Sequence, residues 1–459
     1  MKNDFRRFPI IMSVVLVIAF SPAARTAGGG VDVIVEKAEA FIDALARGDF
    51  QAAARDFDET MRKVSGPEKL AEFWKQIPSQ FSPFKRRTAS RRDSSGDYEI
   101  VLVTCEFEKR TLDARVVFDK AGRIAGFQFI PSLPPARYEP PLYADSSRFV
   151  EIDQTVGKGT LSLPATLTMP RGGGSRWPAL VLVHGSGPND RNEMIGPNRP
   201  FQDLAWGLAS RGIAVLRYEK RTRVHGARMA ADPRFLSFTV KEETVDDAVE
   251  AVKLLRGLPE IDPERVFVLG HSLGGMLIPR IAAGVGDLGA GFIIMAGLTR
   301  PIPETYLEQM TYILSLDGRL SDEDQKQLMD IKTQVARINA LKETDRAAAE
   351  KILNVGPAYW LDLRAYDPPR AALQIGKPLL VLQGSRDYQV TLKDFDNWKK
   401  TLAGRPGVEF KVYPKCNHLF VEGQGLPTPG EYTLIHGSVA LQVVEDIAAF
   451  ILGSKGGGS

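Results

Sequence analysis

Short apolar runs alternate with stretches of helical periodicity over the C-terminal two thirds of the chain. Residues 179–183 and 214–218 are runs of the kind found in strands buried on both faces of a sheet. Apolar residues at helical spacing follow each of them, as in residues 201–208. This alternation predicts an α/β domain over residues 148–453, with a mostly parallel, doubly wound sheet preceded by an antiparallel pair. Its ligands should lie at the carboxyl ends of the strands.

The pattern before residue 148 is different. Residues 31–130 begin with helical periodicity and continue with β-rich segments, which predicts a small α+β domain. A basic group at residues 85–92 is interpreted as a solvated loop, with an anion-binding loop as the alternative. Five prolines in residues 131–147 predict a stiff linker between the domains.

A helical interruption at residues 301–370 separates two apolar runs of the predicted sheet. An insertion at this place is expected to form a cap over the site, because lids control access and exclude water. A plain surface excursion is the alternative. Aromatic and thioether side chains in this segment could shape a pocket, although each also fits a packing role; they are Tyr306, Met310, Tyr312, Tyr359 and Trp360.

Composition narrows the function. The chain has 459 residues, 25% charged residues and a net charge of +3, which gives no reason to expect a nucleic-acid partner. Residues 1–23 combine a basic start, a short apolar run and small residues, which is typical of a signal peptide. No cysteine lies nearby for a lipid anchor, so we expect a periplasmic or secreted protein without stable membrane insertion after cleavage. An uncleaved anchor is the alternative.

The chain has two cysteines, Cys105 and Cys416, and both are expected to be free and buried. The sequence contains no cluster of Cys and His residues that would predict a zinc site.

The sequence Gly270-His271-Ser272-Leu273-Gly274 lies between an apolar strand and a predicted helix. A G-x-S-x-G in that context is typical of a nucleophile elbow, which exposes a serine hydroxyl at the edge of the sheet. Gly270 and Gly274 let the backbone pass closely on either side of Ser272. A plain turn is the alternative. His271 is expected to point away from the site.

A serine nucleophile needs a base, and the base needs an acid that orients it. His418 follows the last predicted strand and is the expected base, with His436 as the rival. Asp387 follows the strand before it and is the expected acid, although a turn aspartate is the alternative. The order Ser272, Asp387, His418 matches the order of such triads in this type of sheet.

The oxyanion of an acyl-transfer intermediate needs backbone donors. The loop after the first parallel strand begins His184-Gly185-Ser186-Gly187, and its glycines allow amides to turn inward. The Ser186 amide and the Leu273 amide are the expected donors, with Gly187 possible in place of Ser186. His184 is expected to brace this loop.

With these parts in place the chain resembles the α/β-hydrolases over residues 148–453. Residues 184–193 are similar to the HGSGPxDRDE motif of a group of bacterial serine carboxylesterases, although Asn192 replaces the second aspartate. Residues 218–221 are similar to the Y-D-K-R-G segment of the same group, but Thr222 replaces the glycine. Residues 31–130 resemble the cystatin-like or NTF2-like domain that is often fused to such hydrolases. The resemblance implies hydrolysis of short-acyl esters without a cofactor.

The sequence therefore predicts a serine carboxylesterase that acts on a small-molecule ester through an acyl-enzyme, with no cofactor and no metal. The first alternative is a serine peptidase or acyl-aminoacyl hydrolase of the prolyl-oligopeptidase type, in which Glu304 or Glu308 would hold a substrate ammonium. The second is a binding protein with a vestigial hydrolase domain. The substrate, the role of the N-terminal domain and the oligomeric state stay open.

Overall fold

The chain folds into two compact units that divide between residues 136 and 137. The computed structural model describes residues 33–95, 98–132, 138–172, 176–231, 237–316, 318–348, 350–353, 355–433 and 435–454. The expected signal peptide at residues 1–23 lies outside the described residues.

The N-terminal unit places helices before a four-stranded antiparallel sheet, as its sequence pattern predicted. The helices are α1 (Val33–Arg47), α2 (Phe50–Ala53), α3 (Glu59–Val64) and α4 (Pro67–Phe81). The strands, which pair in chain order, are β1 (Phe84–Ser95), β2 (Tyr98–Phe107), β3 (Thr111–Phe118) and β4 (Ile124–Pro131). Asp49 and Asp58 cap α2 and α3 by accepting backbone N–H groups. The inward residues of α1 and of β2 to β4 form an apolar core.

The basic segment at residues 85–92 is part of strand β1, so its interpretation as a solvated loop was wrong. The ladder to β2 holds the backbone, and the side chains find acidic partners. Arg86 bonds to Glu106 at 2.8 Å, and Arg87 bonds to Asp43 of α1 at 2.9 Å. Opposite charges across neighbouring elements stabilise an edge strand that contains few apolar residues.

The C-terminal unit contains an eight-stranded, mostly parallel sheet with helices packed on it. Its strands are β5 (Phe149–Val156), β6 (Leu163–Pro170), β7 (Trp177–Val183), β8 (Ala214–Tyr218), β9 (Ile261–His271), β10 (Gly291–Met295), β11 (Leu379–Gly384) and β12 (Val408–Tyr413). Their spatial order is β12-β11-β10-β9-β7-β8-β6-β5. The strands from β7 onward pair in parallel, whereas β5 and β6 are antiparallel. This is the doubly wound sheet that the sequence predicted.

The helices of the C-terminal unit cover the sheet and also form an insertion between β10 and β11. Those outside the insertion are α5 (Pro200–Ala209), α6 (Arg221–Ala231), α7 (Asp246–Arg256), α8 (Leu273–Val285), α13 (Leu392–Thr401), α14 (Gly430–Thr433) and α15 (Leu441–Gly453). The insertion contains α9 (Ile302–Leu314), α10 (Asp322–Ala340), α11 (Pro357–Arg364) and α12 (Pro368–Ala372). Ser321 opens α10 with a capping box.

The structure describes residues 138–147 of the segment that the sequence predicts to be a linker. Residues 138–147 belong to the C-terminal unit. The Tyr138 hydroxyl donates to Asp203 at 2.8 Å, and the Tyr143 hydroxyl donates to the carbonyl of Val439 at 2.7 Å. These tyrosines anchor the segment, which its prolines alone did not indicate.

Two further features concern the environment of the protein. Among the helices of the described residues, none is both long and apolar enough to cross a membrane. Cys105 lies in the N-terminal unit and Cys416 in the C-terminal unit, and both thiols are buried.

Candidate active site

The carboxyl ends of the central strands meet at one edge of the sheet. His271 at the end of β9 pairs with Met295 at the end of β10, and Met295 pairs with Leu382 near the end of β11. The residues that directly follow these strands therefore lie close together. Ser272 follows β9, and Asp387 lies three residues after the end of β11.

Ser272 occupies a strained turn between β9 and α8. Its backbone has φ 55° and ψ −115°, a left-handed conformation that costs a non-glycine residue about 1–3 kcal/mol. Its N–H donates to the carbonyl of Met295 at 2.9 Å, which ties the turn to the neighbouring strand. A Cβ at Gly270 would overlap the backbone of Gly274, and one at Gly274 would overlap the carbonyl of Val183. Only glycines permit this tight passage, and they place Ser272 at the N-terminus of α8.

Asp387 and His418 form a buried pair beside this turn. The Nδ1 atom of His418 donates to Oδ2 of Asp387 at 2.6 Å, and both side chains are at most 5% exposed. The other carboxylate oxygen of Asp387 accepts the backbone N–H groups of Gln389 and Val390 at 2.8 and 2.9 Å. Because Nδ1 carries the proton shared with Asp387, Nε2 of His418 is the ring nitrogen that can accept one.

His271 links the turn to His418, whereas the sequence predicted only that it points away from the site. Its Nδ1 lies 2.8 Å from Oε2 of Glu193, and its Nε2 lies 3.0 Å from the backbone carbonyl of His418. Both partners are acceptors, so the ring donates from both nitrogens as an imidazolium. Burial opposes this charge, but Glu193, the carbonyl of His418 and the charge of Asp387 together outweigh burial and raise the pKa of His271. Burial also opposes ionisation of Glu193, yet His271 lowers the pKa of that carboxyl.

Glu193 also holds the loop that follows β7. Its Oε1 accepts the N–H of Gly185 at 2.6 Å. One buried carboxylate thus connects this loop, the turn at Ser272 and, through His271, the backbone of His418. The sequence marked Glu193 only as the end of a motif, because its partners are 8 and 78 residues away along the chain.

The loop after β7 lies directly against Ser272. A Cβ at Gly185 would be 3.1 Å from the Cβ of Ser272. Gly187 has φ 92°, a conformation that favours glycine. The side-chain amide of Asn189 donates to the carbonyls of Gly185 and Ser186 at 3.2 and 3.1 Å. Within the described part of the chain, the N–H groups of Ser186 and Leu273 have no hydrogen-bond acceptor.

His184 lies beneath this loop. Its Nε2 is 3.1 Å from the carbonyl of Asp190, and its ring packs against Phe201 and Tyr218. Burial lowers the pKa of His184 to about 4, so the ring is neutral and donates its single N–H to the loop. This contact is of the bracing kind that we expected.

Backbone strain is concentrated around the site. Six non-glycine residues of the described chain have positive φ, and four of them lie in the segments that follow β7, β9, β10 and β12. These four are Glu193, Ser272, Ala296 and Phe420. Strained backbone of this kind persists where the surrounding structure imposes it, often at functional sites.

The two remaining histidines are placed elsewhere. Nε2 of His436, the rival base, accepts the N–H of Glu139 at 3.1 Å. His225 lies in α6, with Nε2 at 3.1 Å from the carbonyl of Ser162. Neither histidine has a carboxylate partner among the described residues, whereas His418 has Asp387.

The insertion approaches the same edge of the sheet. The ring of Tyr312 in α9 stacks on Tyr388, which follows Asp387, with centroids 5.2 Å apart. The Tyr366 hydroxyl donates to the carbonyl of Met276 in α8 at 3.0 Å. Among the described residues, no group of three or more His, Cys, Asp or Glu side chains could hold a metal ion.

Comparison with known proteins identifies related chains. The profile of the alpha/beta hydrolase family matches residues 180–426. A family described as a protein of unknown function (DUF3887) matches residues 38–127. The chain is 36% identical over 417 residues to Esterase EstD of Thermotoga maritima, a match that covers 91% of this chain and 95% of that protein.

Two solved structures show a more distant likeness. Est1E from Butyrivibrio proteoclasticus is 17% identical with a TM-score of 0.41, over 66% of this chain and 98% of that one. Dipeptidyl peptidase 4 of Porphyromonas gingivalis is 15% identical with a TM-score of 0.42, over 80% of this chain and 43% of that one.

Proposed function

The chain belongs to the α/β-hydrolase family, and from that premise we propose that it is a serine carboxylesterase with Ser272 as its nucleophile. A relative named as an esterase, similar over nearly the whole length of both proteins, supports the class of substrate. The observation that carries the chemical assignment is the 2.6 Å hydrogen bond between Asp387 and Nδ1 of His418, beside the strained turn at Ser272.

Acylation uses these groups in order. Oγ of Ser272 attacks the acyl carbon of the ester while Nε2 of His418 takes the hydroxyl proton. Asp387 holds the ring in the required tautomer and stabilises the imidazolium. The carbonyl oxygen becomes an oxyanion that the amides of Ser186 and Leu273 bind. The C–O bond to the alcohol then breaks, and His418 gives its proton to the departing alkoxide oxygen.

Deacylation repeats the sequence with water. His418 takes a proton from water as its oxygen attacks the acyl-Ser272 carbonyl, and the same two amides bind the second oxyanion. The bond to Oγ of Ser272 then breaks, and His418 returns the proton to the serine. The carboxylic acid leaves, and the enzyme regains its starting state without a cofactor.

The peptidase alternative has less support. It needs an acidic side chain that is available to bind a substrate ammonium. The carboxylate of Glu308 accepts hydrogen bonds from Arg300 and Lys393, and these bonds lower the pKa of its carboxyl. A carboxylate already paired with two cations is a poor partner for a third. Cleavage of aminoacyl naphthylamides faster than of nitrophenyl esters would favour the peptidase.

The acyl group is proposed to be short, and the helical insertion is proposed to cap the site. Tyr312 of α9 and Tyr388 are stacked rings beside the acid, so they can form an aromatic wall next to the reacting carbon. A wall of rigid rings leaves room for a short chain more readily than for a long one.

The protein is also proposed to be exported, since residues 1–23 have the pattern of a signal peptide. Sequencing the amino terminus of the protein purified from the periplasm or the medium tests this point. A mature chain that begins close to Ala23 supports export, whereas an intact Met1 in a membrane fraction indicates an uncleaved anchor.

The function is tested with p-nitrophenyl acetate, butyrate and longer esters as substrates of the full chain. We expect the highest kcat/KM for the short esters and a loss of about 10⁴-fold or more in kcat for Ser272→Ala. Ser147→Ala is the matched control, because Ser147 is an exposed serine of the same unit that bonds only locally to Asp145. Full activity of Ser272→Ala would show that the assignment is wrong.

A further inference from the structure

Lys220, in the segment directly after β8, has a buried ammonium group. Its side chain is 2% exposed, which is unusual for a lysine. Nζ donates to the carbonyl of Gly185 at 2.7 Å and lies 3.0 Å from Oε1 of Glu243. The cation is therefore placed under the loop that follows β7, and the proposed mechanism gives it no part.

The contact with Lys220 fixes the direction of one peptide group. In a trans peptide the carbonyl of one residue and the N–H of the next point in opposite directions. The bond between Gly185 and Ser186 is trans, like the other peptide bonds of the described residues. Lys220 and Asn189 both bind the carbonyl of Gly185. The N–H of Ser186 must therefore point away from Lys220.

That N–H is free to bind a substrate oxygen. The position that a Cβ of Gly185 would occupy is 3.1 Å from the Cβ of Ser272, so this part of the loop lies next to the proposed nucleophile. Within the described residues the N–H of Ser186 meets no acceptor. A cation bound to the carbonyl also polarises the peptide and strengthens its N–H as a donor. The orientation favours Ser186 over Gly187, which the sequence left as an alternative.

The partner of Lys220 connects the insertion to this arrangement. Glu243 lies in a π-helical turn, Lys241–Val245, a form that is rare and often occurs at functional sites. Its second carboxylate oxygen accepts the hydroxyl of Tyr359 at 2.6 Å. Tyr359 belongs to α11 of the insertion and is buried. Two hydrogen bonds and one ion pair thus connect Tyr359 through Glu243 and Lys220 to Gly185.

We propose that Lys220 is a positioning residue of the oxyanion hole, and that Glu243 and Tyr359 make its position depend on the insertion. Lys220 does not touch the substrate; it holds the Gly185–Ser186 peptide so that the Ser186 N–H faces the developing oxyanion. The inference rests on the proposed function, because it assigns how one of the two oxyanion donors is oriented.

The first test separates orientation from folding. Lys220→Met alone leaves Glu243 buried without its cation, so it can lower stability as well as rate. The double variant Lys220→Met/Glu243→Gln removes both charges, and the side-chain amide oxygen at position 243 can still accept the hydroxyl of Tyr359. We expect both variants to lose about 100-fold in kcat with KM within about threefold, since removal of one oxyanion donor costs about 10²- to 10³-fold. Thermal unfolding should return toward the wild-type Tm only in the double variant.

A tetrahedral-adduct inhibitor gives a second readout. A trifluoromethyl ketone forms an oxyanion on Ser272, so its inhibition constant should rise by about the same 100-fold in both variants. If the double variant regains wild-type Tm together with wild-type kcat and inhibitor affinity, Lys220 is only structural and the inference is wrong. Activity in Ser272→Ala would instead refute the proposed function, so the two failures are distinguishable.

The link to the insertion is tested with Tyr359→Phe, which removes only the hydroxyl. We expect a fall of about 3- to 10-fold in kcat with KM unchanged, as the loss of one hydrogen bond to a charged group predicts. Tyr366→Phe is the matched control, because it removes a hydroxyl that joins the insertion to α8 without contacting Glu243. An equal loss of kcat in the two variants, or no loss of kcat in Tyr359→Phe, would contradict the proposed link between the insertion and Lys220.

Discussion

The two units of the protein bury different kinds of side chain. The core of the N-terminal unit is apolar and rich in aromatic rings, and Asp113 is the one fully buried Asp, Glu, Lys or Arg side chain among its described residues. The C-terminal unit buries several ionisable groups around the ends of β7 to β11, including Lys220, Glu193 and His271. Burial of a charge is costly unless it is paired, so an accumulation at one edge of a sheet needs a reason.

The pairing in the two units differs as well. Asp113 is bound by Arg91, Thr104 and Ser132 at 2.6 to 2.9 Å, a closed local cluster. In the C-terminal unit the buried partners connect segments far apart in sequence and converge on the backbone around Ser272. Buried polar groups therefore support the fold of the N-terminal unit. In the C-terminal unit they also orient the groups that we propose for catalysis.

The largest effect should come from the pair beside Ser272. His418→Ala and Asp387→Asn should each lower kcat by about 10³- to 10⁴-fold, because the first removes the base and the second its orienting charge. Steady-state kinetics on p-nitrophenyl butyrate measures both. His436→Ala is the control, since His436 accepts the N–H of Glu139 and packs against Tyr138. A greater loss in His436→Ala than in His418→Ala would reverse the assignment of the base.

Glu193 should have the next largest effect. Glu193→Ala leaves the Gly185 N–H and Nδ1 of His271 unpaired in the interior, and we expect a loss of about 100-fold in kcat with a lower Tm. Glu193→Gln can keep both hydrogen bonds if His271 becomes neutral, so kcat should stay within about tenfold of wild type. An equal loss in the two variants would mean that the charge of Glu193, rather than its hydrogen bonds, is what matters.

His184 gives the C-terminal unit a pH-dependent stability of defined sign. Because its pKa is about 4 when folded and about 6.5 when unfolded, the unfolded chain binds the proton first as the pH falls. The contribution of His184 to the free energy of unfolding is complete above about pH 6.5 and decreases toward pH 4. At pH 5 it has fallen by about 2 kcal/mol. The difference in unfolding free energy between wild type and His184→Phe measures it. A difference that does not vary between about pH 7 and pH 5 would contradict the buried neutral ring.

Asp113 should give the smallest effect, and one on stability alone. Asp113→Ala removes the acceptor of Arg91, Thr104 and Ser132, and we expect a loss of about 1–3 kcal/mol in the unfolding free energy. Ester hydrolysis by the folded variant should equal that of wild type. A change in kcat without a change in stability would show that the buried charge of the N-terminal unit also serves catalysis, and the contrast between the units would fail.

The sequence predicted the parts of the site that depend on local order. The elbow at Ser272 is encoded by Gly270 and Gly274, and residues that follow parallel strands must meet at one edge. Asp387 and His418 could therefore be placed together before their hydrogen bond was seen.

Features that depend on partners distant in sequence could not be predicted. Lys220, Glu243 and Tyr359 are separated by 23 and 116 residues, and nothing local to any of them indicates the others. Strand β1 was missed for a related reason, since its arginines resemble a solvated loop until Asp43, Glu106 and Asp113 are seen opposite them. The hydrogen bonds of His271 could not be predicted either, because its partners Glu193 and His418 are distant in sequence.

Labelling of the full chain with a fluorophosphonate, followed by mass mapping of the peptides, tests the central claim most directly. We expect one phosphonyl group on Ser272 in the wild-type protein and no labelling in Ser272→Ala. Labelling of His418→Ala should be slower, because the base that activates the serine is gone. A phosphonyl group on another residue, or an unlabelled wild-type protein in its folded state, would contradict Ser272 as the nucleophile and would favour a binding protein with a vestigial hydrolase domain.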